Sequence, residues 1–214
     1  MTTRLRARAI LFDMDGTLVD STPVVEMVWR RFAATHGLDG DEILATSHGV
    51  KAIDTIRKHV PDIDADAAAE DLAAFEIGQN DGIIEIPGAS AFVKSLEPGE
   101  FAVVTSAPSQ LARVRLALCD IPIPEVLVGA EDVERGKPNP DPYLQAAAAL
   151  GVAPEDCIVF EDAPAGIQSG LNAGMRVVVV GDSEDDIAVG LPRVPDYEHA
   201  RIEHDESGFD VVLG

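Results

Sequence analysis

The stretch ILFDMDGTLVDS, residues 10–21, places Asp13 and Asp15 directly after a short apolar run. An apolar run of this kind is typical of a buried parallel strand, which would end at Asp13. A strand that reaches the surface and turns at an Asp-Gly pair explains the two aspartates on its own. A metal-assisted site for phosphoryl transfer also explains them, so the rest of the chain decides between these two interpretations.

Five apolar runs have the pattern of buried parallel strands, because they are apolar nearly throughout and do not alternate with polar residues. They lie near residues 7–13, 101–106, 125–130, 157–162 and 176–181. Helical patterns separate the later runs, and one of these helices has Asn139 as its predicted N-cap and Gly151 as its stop. The alternation of strands and helices predicts an α/β fold with a doubly wound parallel sheet.

The segment between the first two strands, from about residue 14 to residue 100, is far too long for a single crossover connection. It has the apolar spacing of helices at 22–37, around 50–60 and at 64–77. An all-helical insertion at this point would lie over the carboxyl ends of the strands, where open α/β sheets bind ligands.

This organisation predicts two domains. An α/β core comprises residues 1–20 and 86–214, and a helical cap comprises residues 21–85. The segments 18–22 and 86–89 are the expected hinge strands, about which the cap opens for substrate and closes to exclude bulk water.

Charge and composition narrow the class of protein. The formal net charge of −22 argues against a nucleic-acid partner or an anionic membrane, but not against a small anionic substrate held by a metal and a lysine. No apolar run reaches the roughly 20 residues that span a bilayer, and we expect no secretory signal. The two cysteines, Cys119 and Cys157, fit a reduced cytoplasmic protein. We expect a monomer or a weak homodimer.

Acidic side chains follow two of the predicted strands, and parallel strands bring their carboxyl ends to one edge of a sheet. Asp13 and Asp15 follow the first strand, and Glu161 and Asp162 end the fourth. Carboxylates at adjacent strand ends form an all-oxygen site of the kind that Mg²⁺ prefers. The sequence therefore predicts Mg²⁺ as the cofactor.

A hydroxyl and an ammonium group complete a site for a small phosphomonoester. Thr105 and Ser106 end the second strand, and Lys137 precedes a helix that opens with proline. A carboxylate is a poor nucleophile towards a phosphate dianion because like charges repel, and a cation together with Lys137 offsets that repulsion. Asp13 would then attack the phosphate, while Asp15 protonates the leaving oxygen and later deprotonates the hydrolytic water.

Four segments resemble, in order, the signature motifs of the haloacid dehalogenase superfamily. They are DMDGTLVDS (13–21), VVTSAPS (103–109), GKPNPDPY (136–143) and VFEDAPAGIQSGLNAG (159–174). The resemblance covers nearly the whole chain to about residue 181. It implies a Rossmann-like core with an all-helical cap of the C1 type, inserted after the first motif.

The resemblance also implies roles for the motif residues. Asp13 matches the nucleophile that also ligates Mg²⁺, and Asp15 matches the general acid and base, whose backbone carbonyl is a further metal ligand. Asp162 matches the metal ligand of the fourth motif, with Glu161 acting on a metal-bound water. Lys137 matches the lysine that bridges the nucleophile and the phosphate.

The resemblance gives only candidate residues for phosphate binding at the second motif and for substrate contacts in the cap. At the second motif, Ser106 is the preferred phosphate-binding hydroxyl and Thr105 is the alternative, because family members place this hydroxyl at either position. In the cap loop SHGVK, His48 and Lys51 are the candidates for contacts with the hydroxyl groups of the substrate.

Asp15 selects among the activities of the superfamily, because dehalogenases and phosphonatases are not expected to keep an aspartate two positions after the nucleophile. β-Phosphoglucomutase-like enzymes carry a histidine twelve positions after the nucleophile, where this chain has Val25. The resemblance therefore favours a phosphatase of small phosphorylated sugars or polyols, similar to glycerol-phosphate, 2-deoxyglucose-6-phosphate and hexose-phosphate phosphatases. A phosphosugar mutase of the β-phosphoglucomutase type is the alternative, and a catalytically silent binding protein is a third interpretation.

Overall fold

The computed structural model describes residues 2–183, 185–206 and 208–214. The strands are β1 (Thr3–Ala7), β2 (Ala9–Phe12), β3 (Val19–Asp20), β4 (Ile84–Glu85), β5 (Phe101–Val104), β6 (Val126–Val128), β7 (Cys157–Glu161), β8 (Arg176–Val180), β9 (Arg193–Val194), β10 (Arg201–Asp205) and β11 (Gly208–Leu213). The α-helices are α1 (Thr22–His36), α2 (Gly40–Ser47), α3 (Ala52–His59), α4 (Ala65–Ile77), α5 (Ala89–Lys94), α6 (Ser109–Leu118), α7 (Asp141–Leu150) and α8 (Pro164–Asn172). None of these described helices is long and apolar enough to cross a membrane.

The centre of the molecule is a six-stranded parallel sheet with the order β6-β5-β2-β7-β8-β9. β2, β5, β6, β7 and β8 are the strands that the five apolar runs predict. Helices cover both faces: Phe12 and Phe160 pack with residues of α5 and α6, whereas Leu11 and Val159 pack with residues of α7 and α8. The doubly wound, Rossmann-like α/β fold is therefore confirmed.

A second sheet is antiparallel, has three strands in the order β1-β11-β10, and was not predicted from the sequence. β1 and β10 are exposed or half-buried over most of their length and carry several charged residues, so they lack the continuous apolar run of a buried parallel strand. Arg8 separates β1 from β2. The strand predicted near residues 7–13 therefore corresponds to β2, and β1 precedes it as a separate strand.

The insertion between β3 and β4 contains helices α1 to α4. α1 ends as predicted at Gly37, which adopts the left-handed conformation with φ of 68°. α3 and α4 are the two further helices that the apolar spacing predicts. α2 is missing from the prediction, and it begins at Gly40, a residue that disfavours helices.

The helices of the insertion share a hydrophobic cluster of their own, which contains Trp29, Ile43 and Ile56. β3 and β4 pair antiparallel, with Val19 opposite Glu85, and connect the insertion to the core. The all-helical insertion is confirmed as part of the fold, while the division of the chain into two domains with boundaries near residues 20 and 86 stays a prediction.

The start of α7 differs from its prediction. Pro140, not Asn139, is the N-cap residue, and the helix begins at Asp141. The side-chain amide of Asn139 donates to the carbonyl oxygen of Gly136 at 2.9 Å and thus closes the preceding turn. Gly151 ends the helix in the left-handed conformation, as predicted.

Candidate active site

The predicted acidic and hydroxyl residues of the site lie at the carboxyl ends of three neighbouring strands. β2 lies between β5 and β7, so Asp13 at the end of β2 is flanked by Thr105 after β5 and by Glu161 in β7. The backbone N–H of Asp13 donates to the carbonyl oxygen of Phe160 at 3.0 Å and extends the parallel pairing by one residue. The parallel order of the strands thus brings residues that are far apart in the sequence into one place.

Three of these acidic residues form a compact cluster. Carboxylate oxygens of Asp13, Glu161 and Asp162 lie within 4.8 Å of one another. A set of carboxylate oxygens suits a hard divalent cation such as Mg²⁺, so the donor set fits the predicted metal. The carboxylate of Asp15 is not part of this cluster, and the predicted metal contact of its backbone carbonyl stays a prediction.

Lys137 neutralises part of this negative charge. It is only 3% exposed, and its ammonium donates to Asp13 Oδ1 at 2.5 Å, to Glu161 Oε1 at 2.7 Å and to the carbonyl oxygen of Val104 at 2.9 Å. Burial alone would lower the pKa of Lys137, but Asp13 and Glu161 outweigh burial and hold its pKa above the ordinary value. Lys137 therefore stays cationic beside the proposed nucleophile.

Both carboxylate oxygens of the fully buried Glu161 have hydrogen-bond partners. Its Oε1 accepts from Lys137 and from the hydroxyl of Tyr143 at 2.9 Å, and its Oε2 accepts from the backbone N–H groups of the next two residues at 3.0 and 3.2 Å. Gly166 makes room for this carboxylate, because a Cβ atom at that position would lie 1.5 Å from Oε1. Glu161 thus holds Lys137 in place, and its predicted action on a metal-bound water stays a prediction.

Burial makes the carboxylates of Asp13 and Asp162 easier to protonate. Desolvation raises the pKa of Asp13 well above its usual value, with Glu161 and Asp162 acting in the same direction and Lys137 in the opposite one. Desolvation, followed by the charge of Glu161, raises the pKa of Asp162 to about 7. A hydrogen bond from the Thr17 hydroxyl, at 3.1 Å from Asp162 Oδ1, offsets part of that increase.

In the metal-free protein, we expect the free energy of unfolding to fall as the pH rises from about 5 to about 7. The folded state keeps a proton on Asp162 up to about pH 7, whereas the unfolded chain releases it near 3.8, so the folded state binds more protons across this interval. The decrease should be on the order of a few kcal/mol. Urea unfolding with a chelator at several pH values measures it.

The control for this pH dependence is Asp162→Asn, which removes this titrating group and should make the decrease smaller, with the raised pKa of Asp13 accounting for what remains. Ordinary carboxylates have finished titrating above about pH 5, so they contribute little to the slope. A free energy of unfolding that stays constant or rises over the interval in the unmodified protein would contradict the raised pKa of Asp162.

Asp15 occupies a different environment from Asp13. Its Oδ1 accepts from the hydroxyl of Ser21 at 2.7 Å and from Nη1 of Arg115 at 2.7 Å. Nη2 of the same guanidinium donates to Oε1 of Glu76, a residue of helix α4, at 2.5 Å. Sequence reasoning missed both Arg115 and Glu76. The available signal was a charged Arg115 on the apolar face of its helix, beside Leu111 at helical spacing.

The hydroxyl groups of the second motif point to different neighbours. Thr105 is buried, and its Oγ1 accepts from the backbone N–H of Ala107 at 3.0 Å. Ser106 donates from its Oγ to the carbonyl oxygen of Gly49 in the helical insertion, at 2.9 Å. Both residues line the same cavity as Asp13, and the choice between them as the phosphate-binding hydroxyl stays a prediction.

A cavity of about 820 Å³ lies between the strand ends and the helical insertion. Asp13, Asp15 and Asp162 line its core side, and the exposed His48 and the half-buried Val25 line the side of the insertion. A small phosphorylated molecule fits a space of this size. Contact of His48 with a substrate stays a prediction.

Lys51 also lines the cavity, but its ammonium group faces a loop of the core. It donates to the carbonyl oxygens of Ala130, Val133 and Glu134 at distances of 3.2, 2.9 and 3.2 Å. These three acceptors use the donors of the ammonium group, so Lys51 joins the insertion to the core. Its predicted contact with substrate stays a prediction.

Comparison with known proteins shows the family to which this chain belongs. Residues 7–174 match the family model described as haloacid dehalogenase-like hydrolase. The chain belongs to this family of hydrolases. The matched segment contains all four motifs and every strand of the central sheet except β8 and β9.

Individual relatives define the type of hydrolase. Hexitol phosphatase A of Escherichia coli (strain K12) is 46% identical over 186 residues, which cover 85% of this chain and 86% of that protein. Glycerol-1-phosphate phosphohydrolase 1 of Saccharomyces cerevisiae is 36% identical over 194 residues, which cover 85% and 77%. The predicted superfamily and enzyme class are therefore confirmed: this haloacid dehalogenase-like hydrolase is a phosphatase, a hydrolase of phosphomonoesters.

Solved structures support the fold. A β-phosphoglucomutase from Clostridium difficile superimposes with a TM-score of 0.76 at 22% sequence identity, covering 89% of this chain and 91% of that one. At this identity the similarity concerns the fold alone, so it carries no argument for mutase activity.

Proposed function

We propose that this phosphatase hydrolyses phosphomonoesters of small sugars or polyols, with Mg²⁺ as cofactor and a phosphorylated Asp13 as intermediate. The observation that carries the proposal is the contact between Lys137 and Asp13 beside the carboxylates of Glu161 and Asp162, at the floor of the cavity. A nucleophile, a fixed cation and a metal-binding set of oxygens are the parts that phosphoryl transfer to a carboxylate needs.

In the first half of the reaction, a carboxylate oxygen of Asp13 forms a bond to phosphorus while the bond between phosphorus and the ester oxygen breaks. Asp15 gives its proton to that leaving oxygen, so the product alcohol departs neutral. Lys137 stays beside Asp13 and offsets negative charge on the transferred group. Asp13, Asp162 and the backbone carbonyl of Asp15 would hold Mg²⁺, which would supply further positive charge at the phosphate when bound.

In the second half, water attacks the phosphorus of phosphorylated Asp13 and the acyl phosphate bond breaks. Asp15, now deprotonated, takes the proton from this water, and phosphate and the free carboxylate of Asp13 are formed. The helical insertion contacts the core beside the site, because the hydroxyl of Ser106 donates to the carbonyl oxygen of Gly49 in the insertion. This contact supports the exclusion of bulk water during the reaction.

The charged side chains around the cavity favour a substrate that carries no charged group other than its phosphate. Each of the three cationic side chains that line this described cavity has polar partners already. Lys51 donates to backbone carbonyls, Arg57 lies 3.4 Å from a carboxylate oxygen of Asp66, and Arg115 is shared by two carboxylates. A second phosphate would find no unpaired cation among them, whereas the hydroxyl groups of a polyol need none. The names of the hexitol and glycerol-1-phosphate relatives point in the same direction.

Release of inorganic phosphate from a panel of sugar, polyol and nucleotide monophosphates, with Mg²⁺ present, tests the proposal. We expect the fastest release from polyol and sugar monophosphates and little from bisphosphates, because the cavity offers a second phosphate no unpaired cation. Addition of a chelator should stop the release. Isomerisation of β-glucose 1-phosphate without release of phosphate would instead establish the mutase, and inactivity on every member would contradict both activities.

A further inference from the structure

We propose that Arg115 is a positioning residue that links the orientation of Asp15 to the placement of helix α4 of the insertion. The proposal rests on the proposed role of Asp15 as the general acid. The geometry that points to it is the position of one buried guanidinium between Asp15 of the core and Glu76 of α4.

Arg115 is an unusual member of its helix. It is 1% exposed and is the largest fully buried side chain in the described part of the chain. A buried cation is costly unless carboxylates pair with it, and the two partners of Arg115 come from the two sides of the cavity. Its Nε atom is buried with no hydrogen-bond partner among the described residues, so the two Nη contacts fix the guanidinium.

The two hydrogen bonds to Asp15 fall on the same oxygen. The Ser21 hydroxyl and Nη1 of Arg115 both donate to Oδ1, each at 2.7 Å. Two donors directed at Oδ1 make it a poor site for a proton, so the proton of Asp15 is directed to Oδ2. Asp15 lines the cavity, and Arg115 thereby selects the oxygen that exchanges a proton with the substrate.

Glu76 determines how the guanidinium of Arg115 is oriented towards Asp15. Because the guanidinium is planar and rigid, the contact of Nη2 with Glu76 orients the group so that Nη1 faces Asp15. If α4 moves away from α6, Glu76 leaves, and Arg115 is free to bind both oxygens of Asp15 in the bidentate manner common for carboxylates. Asp15 is then less available as an acid, so proton transfer becomes efficient only with α4 in place.

The test compares two substrates that differ in their need for an acid. Glycerol 1-phosphate has a poor leaving group that must be protonated, whereas p-nitrophenyl phosphate has a good one that needs little protonation. The ratio kcat/KM is the appropriate quantity, because it reports only the steps up to release of the alcohol. The variants are Glu76→Gln, Arg115→Lys and the double variant, with the Mg²⁺-loaded full-length enzyme throughout.

We expect Glu76→Gln and Arg115→Lys each to lower kcat/KM for glycerol 1-phosphate about tenfold or more, with p-nitrophenyl phosphate changed less than about threefold. The double variant should be little worse than Arg115→Lys alone, because Glu76 acts through Arg115. The matched control is Glu26→Gln, which makes the same change in a partly exposed ion pair with Arg30 on α1 and should leave both substrates unaffected.

Equal losses on the two substrates, or multiplicative losses in the double variant, would overturn the proposal in favour of a purely structural role for Arg115. Asp15→Asn separates this outcome from a failure of the proposed function. A large loss in Asp15→Asn that is confined to glycerol 1-phosphate supports Asp15 as the acid, and the Arg115 series then tests the coupling alone. If Asp15→Asn shows no such preference, the assignment of the acid itself is wrong.

Discussion

Replacement of Asp13 by asparagine is expected to abolish phosphatase activity, with a loss of kcat of about 10⁴-fold or more. The amide cannot attack phosphorus as a carboxylate does, and the cluster with Glu161 and Asp162 loses one anionic ligand. Lys137 loses the carboxylate that lies 2.5 Å from its ammonium but keeps Glu161 as a partner. The fold should therefore persist, and urea unfolding verifies this.

The phosphorylated intermediate provides the direct measurement. When the unmodified enzyme is quenched in acid during turnover, mass spectrometry should find one phosphoryl group on the peptide that contains Asp13, and none in Asp13→Asn. Asp62→Asn is the matched control, because Asp62 is an exposed residue outside the cavity lining, and it should retain full activity. Turnover in Asp13→Asn, or a phosphoryl group on another residue, would contradict the proposed mechanism.

The central sheet could be predicted from the sequence because its strands are buried on both faces. β7 and β8 form nearly continuous apolar runs, which is the pattern of strands in a parallel sheet with both faces covered. The antiparallel sheet could not be predicted in the same way. β10 has the sequence RIEHD, and its stability depends on pairing with β11 and not on an apolar pattern of its own.

The positions of those site residues that belong to local sequence motifs could be predicted. Asp13, Asp162 and Lys137 each occupy a strand end or a turn that the sequence marks, and parallel pairing alone brings such positions together. The contact of Arg115 with Glu76 joins residues that are 39 positions apart, on a core helix and on an inserted helix. That contact depends on how α4 lies against α6, which no short-range pattern specifies.

Replacement of Lys137 by methionine is expected to destabilise the metal-free protein by about 3–5 kcal/mol, the usual cost of removing one partner from a buried ionic group. Methionine fills a similar volume, so the loss comes from charge. Asp13 and Glu161 would remain buried beside each other without the cation that now lies 2.5 and 2.7 Å from them. Urea unfolding at neutral pH in the presence of a chelator measures the change.

A second substitution distinguishes lost charge from lost packing. Adding Glu161→Gln to the Lys137→Met variant removes an unpaired buried carboxylate, while its amide oxygen can still accept from the backbone N–H groups that now bind Glu161. The double variant should therefore be more stable than Lys137→Met alone, because breaking a buried ion pair costs more than removing both partners. Mg²⁺ should stabilise the single variant by more than it stabilises the unmodified protein, since a divalent cation replaces the missing positive charge. A double variant less stable than the single one would show that packing of the lysine side chain, and not its charge, holds this part of the site together.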